Sequence, residues 1–138
     1  MTAWVTLPKP KKKVKTKKRL GLRKTPLSKL KRLADKLAGE LCRARGNCEA
    51  CGVKNNTLQW SHIISRNYHN IRWIPQNCLC LCKSCHYKFT VRPDEWIAFL
   101  MKHYSTTYLW LYKEKEKYVK INRSFLETTI KELKEVSL

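Results

Sequence analysis

The sequence predicts an α+β fold: a small metal-stapled centre built on two short strands, flanked by an amino-terminal helix and carboxyl-terminal helices. Three observations predict it. Two C-x-x-C pairs bracket the middle of the chain, alternating apolar runs lie between them, and apolar residues recur at helical spacing on both flanks. With 138 residues the chain holds one compact domain plus tails. A domain of this size buries a modest core, so a metal staple adds materially to its stability.

Residues 1–26 form a basic arm. PKPKKKVKTKKR (8–19) carries eight positive charges and two prolines, has nothing with which to build a core, and is expected to be disordered until it meets phosphates. Lys11, Lys12, Lys13, Lys17, Lys18 and Arg19 are its candidate contacts; a nuclear localisation signal has similar composition. Residues 27–46 are predicted as a helix, with Leu27, Leu30, Ala34, Leu37 and Leu41 on one stripe and Gly46 as its stop. The central block, 47–93, contains six of the seven cysteines and three of the four histidines. Within it NTLQWSHII (56–64) and QNCLCL (76–81) read as strands joined by a polar loop. Residues 94–138 form a helical extension. PDEWIAFLMKHY (93–104) opens with Pro-Asp-Glu, a favourable helix start. Two further amphipathic helices are expected over 106–120 and 124–136, the last capped by Ser124 with Glu127 three positions on.

Charge sets the class of partner. Thirty Lys and Arg face ten Asp and Glu, a formal +20. Thirteen of the basic residues precede the first acid, Asp35, and no acid lies between Glu49 and Asp94. Such a chain repels itself unless a polyanion neutralises it, and DNA contacted mainly through phosphates is the expected partner. No run approaches the roughly 18 apolar residues of a membrane span. The start, MTAWVTLPKPKKK, lacks the apolar core of a secretory signal. A cytoplasmic address is therefore expected, and seven cysteines in a reducing compartment point to metal more than to disulfides.

Cys48 and Cys51 form one C-x-x-C pair; Cys82 and Cys85 form the other. Four thiolates from two tight turns suit one structural Zn²⁺ per chain, and Gly52 permits the first turn. Cys42, Cys78 and Cys80 read as small buried hydrophobes. The rival reading, covalent haem at Cys82-Lys-Ser-Cys85-His86, requires export and strands the Cys48/Cys51 pair.

The order C-x-x-C, SHI (61–63), Asn77, C-x-x-C-H resembles the HNH nuclease motif on a treble-clef ββα-metal core. More narrowly, LQWSHIISRNYHNIRWIPQNCLCLCKSCHYKF (58–89) and the tail INRSFLETTIKELKEV (121–136) are similar to the phage NinG/Rap recombination endonucleases. The resemblance implies hydrolysis of DNA phosphodiesters, with branched or single-strand-containing DNA as substrate and the host cytoplasm or nucleoid as the place of action. It implies His62 as general base, Asn77 as the residue holding the active-site loop, and His86 as ligand of a catalytic Mg²⁺ or Mn²⁺. It brings His62, Asn77 and His86 into one small space. Ser61, however, stands where many HNH enzymes carry a metal-binding Asp or His, and 50–93 contains no carboxylate. A hard cation prefers carboxylate oxygen, so substrate phosphates, His69, or Asp94 and Glu95 must complete its shell. Beside the site, Arg66, Tyr68, Arg72, Lys83, Lys88 and Arg92 are candidate DNA contacts, Arg as phosphate clamp and Tyr as stacking surface; Trp60 and Trp73 pack inward or stack. Two alternatives stay open: a zinc-stapled DNA-binding protein without hydrolysis, and an HNH enzyme of nicking, homing or packaging type. The helices at 94–136 serve a homodimer interface or pack on one another.

Overall fold

The computed structural model describes residues 25–55 and 57–137. The arm contacts Lys11, Lys12, Lys13, Lys17, Lys18 and Arg19 lie outside the described residues. The architecture is α+β: α1 (Leu27–Arg43), β1 (Leu58–His62), a 3₁₀ turn (Pro75–Asn77), β2 (Cys78–Cys82), α2 (Lys83–Val91), α3 (Pro93–His103), α4 (Ser105–Glu114) and α5 (Arg123–Val136).

β1 and β2 pair antiparallel in the register Leu58↔Cys82 through His62↔Cys78. Residues opposite one another share a face, and neighbours along a strand alternate. Trp60, His62, Cys78 and Cys80 therefore form one face. Gln59, Ser61, Leu79 and Leu81 form the other. All five residues of β2 are buried, because α1 covers the first face while α2, α3 and α4 close over the second. The outer edge of β2 is not left bare: Glu49 N–H donates to the Cys80 carbonyl at 2.8 Å, and the Glu49 carboxylate accepts from Cys80 N–H at 2.6 Å. Such covering of a strand edge satisfies the ladder groups that would otherwise pair with another chain.

Two apolar clusters result. One gathers the hairpin, Ile63, Ile64, Ile71, Leu100 and Leu111; the other joins Leu30, Ala34 and Ala38 of α1 to Trp73 and to Leu126, Ile130 and Leu133 of α5, and Trp60 touches both. The α1 stripe is thus rotated from the predicted one: Leu27 is exposed, Leu37 and Leu41 are half-buried, and Ala38, Gly39 and Cys42 go inside. Cys42, Cys78 and Cys80 are all buried.

Two helix boundaries differ from the sequence expectation. α4 stops at Glu114 instead of running to 120, because Asn70 Nδ2 donates to the Glu114 carbonyl at 2.7 Å and the Lys117 carbonyl at 3.0 Å. α5 is capped by Asn122, whose side chain accepts from Phe125 N–H at 2.9 Å. Ser124 lies inside the helix, and Glu127 pairs with Arg123 at 3.2 Å. Among the described residues no helix is long and apolar enough to cross a membrane.

Candidate metal centre and basic cleft

The four sulfurs of Cys48, Cys51, Cys82 and Cys85 lie within 4.8 Å of one another. Two local turns bring them there. Gly52, at φ +77°, donates N–H to the Cys48 carbonyl at 2.7 Å, closing the first knuckle. In the second, the Cys82 thiol caps α2 by accepting from Cys85 N–H at 3.5 Å. Tetrahedral zinc with Zn–S of about 2.3 Å requires sulfur–sulfur edges of about 3.8 Å. Cys51 and Cys82 stand at 3.8 Å, so the residues fit the ion.

The electrostatics agree with that fit. Burial opposes the Cys48 thiolate, but N–H groups of Cys82, Cys51 and Ala50 outweigh it and lower its pKa to about 6. Cys85 moves the other way, raised by burial and by the adjacent Cys82, Cys51 and Cys48 sulfurs. Four thiolates without a cation repel one another, and a dication removes that conflict.

Asn77, fully buried, organises the excursion between the strands. Its Oδ1 accepts from Ile64 N–H at 2.7 Å, and its Nδ2 donates to the Ile64 and Ile71 carbonyls at 3.0 and 3.1 Å. His62 fastens to the same excursion: its Nε2 stands 3.1 Å from the Arg72 carbonyl. A carbonyl only accepts, so Nε2 carries the proton and Nδ1 keeps its lone pair. Burial, with the charges of Arg72 and Arg66, lowers the His62 pKa to about 4 against the Arg72 carbonyl and Asp35, which raise it. The imidazole is neutral at pH 7.

His62 opens onto a cleft of about 440 Å³ lined by Arg32, Asp35, Lys36, Gly39, Arg43, Trp60, Arg66 and Arg72. Arg72 is not the free phosphate clamp its position in the sequence suggests. Its guanidinium grips Asp35 through two bonds of 2.9 and 2.7 Å, and Trp73 Nε1 donates to the same carboxylate at 2.8 Å. Trp73 is accordingly core. Arg66 stays exposed beside the cleft, and half-buried His69 stacks 6.2 Å from Trp73. The α1 residues Arg32, Lys36 and Arg43 escaped the sequence reading, although their helical spacing was there to be seen.

His86 stands elsewhere. Its Nδ1 lies 2.7 Å from Gln59 Oε1, on the hairpin face opposite to that of His62. The sequence reading placed both imidazoles and Asn77 in one small space; the structure brings His62 and Asn77 onto one loop and sets His86 across the sheet. Among the described residues the cysteine quartet is the one cluster of three or more His, Cys, Asp or Glu able to hold an ion. Glu95 is engaged by Lys88 at 2.8 Å and Arg92 at 2.6 Å, Asp94 is exposed at the start of α3, and no carboxylate is bonded to His86. The structure thus gives no support of its own to a Mg²⁺ or Mn²⁺ site at His86. Lys88 and Arg92 pair with Glu95 while staying exposed, Lys83 is exposed, and Tyr68 is partly covered by Lys115 at 5.1 Å from its ring. Comparison with protein-family models, with curated proteins and with solved structures finds no match to this chain.

Proposed function

We propose that the chain is a zinc-stapled endonuclease of HNH type, on a treble-clef ββα-metal core, that hydrolyses phosphodiester bonds in DNA, with branched or single-strand-containing DNA as substrate in recombination. One observation carries the reading: a neutral imidazole, oriented by a loop carbonyl, faces a cleft rich in arginine and lysine. In this proposal phosphates enter the cleft, the water oxygen bonds to phosphorus while His62 Nδ1 takes its proton, and the bond from phosphorus to the leaving oxygen breaks, that oxygen keeping the electron pair and taking a proton from solvent. Arg66 and the α1 cations offset the growing negative charge, and Asn77 holds the loop that orients His62. No step is routed through a second metal, because no cluster at His86 supports one among the described residues.

A second reading, a zinc-stapled DNA binder that does not cut, is favoured by the engagement of His86 with Gln59 and by the missing carboxylate. The two separate cleanly. The purified chain is incubated with nicked, flapped, four-way and plain duplex DNA in Mg²⁺ or Mn²⁺, beside His62→Ala. Hydrolysis that falls at least about 100-fold in His62→Ala, with binding retained, supports the enzyme. Tight binding by both without any product under either metal supports the binder.

A further inference from the structure

One edge of α1 carries cations that the apolar core does not use. At about 100° per residue, Arg32, Lys36, Gly39 and Arg43 fall within roughly 60° of one helical face, and all four line the His62 cleft. Arg32, Arg43 and Arg66 have no ion-pair partner among the described residues, and Lys36 has only Glu40 at 3.9 Å. The cleft's one acid, Asp35, is satisfied by Arg72 and Trp73. The surface presented to a ligand is therefore cationic.

Gly39 is an unusual residue for the middle of a helix, where glycine is the poorest former after proline. Its place is explained by what lies over it. A Cβ there would stand 3.1 Å from Arg43 Nη1 and 3.4 Å from Nη2. The Arg43 side chain therefore runs back along the helix, and its guanidinium lies over the bare backbone one turn earlier.

We infer that this edge of α1 is a phosphodiester-binding rail that leads one nucleic-acid strand past His62, with Gly39 as the seat of the Arg43 guanidinium. From Arg32 to Arg43 the helix rises roughly 16 Å, the rise of about five nucleotides of one B-form strand. Guanidinium groups suit this ligand because they grip phosphate oxygens in pairs. The inference rests on the nucleic-acid reading but not on hydrolysis.

The test measures binding of a labelled oligonucleotide, single-stranded and duplex, by fluorescence anisotropy with the full chain and no added divalent ion, from about 50 to about 300 mM KCl. Arg43→Ala is expected to bind about 5- to 10-fold more weakly, with the slope of log K against log salt shallower by about 1. Gly39→Ala is the sharper variant. It should raise the melting temperature by about 4 °C through helix propensity, yet weaken binding about 3-fold by lifting Arg43 from its seat. An unchanged slope in Arg43→Ala, unchanged affinity in Gly39→Ala, or a lowered melting temperature in Gly39→Ala overturns the inference. A chain that binds in this pattern and never cuts counts against the hydrolytic reading alone.

Discussion

Asn77 shows how one buried amide can hold a loop of more than a dozen residues. Removing it leaves the Ile64 N–H and carbonyl without partners in the interior, while the Ile71 carbonyl keeps Ile74 N–H at 3.3 Å. Asn77→Ala is therefore expected to cost about 3 kcal/mol, read as a lower urea midpoint at unchanged slope. His62 yields a prediction of a different kind. Its pKa is about 4 in the folded chain against an ordinary 6.5. Between those values the unfolded chain binds a proton that the folded chain refuses. Its contribution is complete above pH 6.5 and is lost as pH falls toward 4. Urea titrations across that window should show stability dropping with acid, and His62→Gln should flatten the drop. The residues themselves explain which roles were legible. The hold of Asn77 on its loop agrees with the expectation from its place in the motif, whereas the pairing of Arg72 with Asp35 joins positions 37 apart, and no local pattern announces such a pair.

Among the elements, those set by their own residues were easiest to read. The start of α3 at Pro93, with Asp94 and Glu95 in its first turn, follows from proline geometry and the helix dipole. α4 was overextended because its periodicity continues past Glu114, while its stop is imposed from outside by Asn70. The α5 cap was misassigned by two residues, since Ser124 with Glu127 imitates a capping box that Asn122 supplies instead. The difference is measurable. Asn122→Ala should lower stability by about 1 kcal/mol, and Ser124→Ala should leave it unchanged or slightly raised, as seen by thermal unfolding followed by circular dichroism.

For the molecule as a whole, the metal centre was the most legible part, because each C-x-x-C is a local turn whose chemistry does not depend on distant partners. About one zinc per chain is expected by elemental analysis, and a strong chelator should abolish the cooperative thermal transition by releasing the hairpin from both knuckles. The division of labour on the two sides of the sheet, by contrast, depends on strand alternation carried through three dimensions, and it separates the two imidazoles that the motif lists together. The packing of α1 on α5 has a consequence of its own. A single rod serves two masters: its oily side leans on Leu126, Ile130 and Leu133, while its cationic side borders the cavity beside His62. The carboxyl-terminal segment touches no part of that cavity, yet it sets the angle at which the wall stands. A weakened prop at Leu126 or Leu133 would surface in the laboratory as a poor grip on the polyanion, far from where the damage was done.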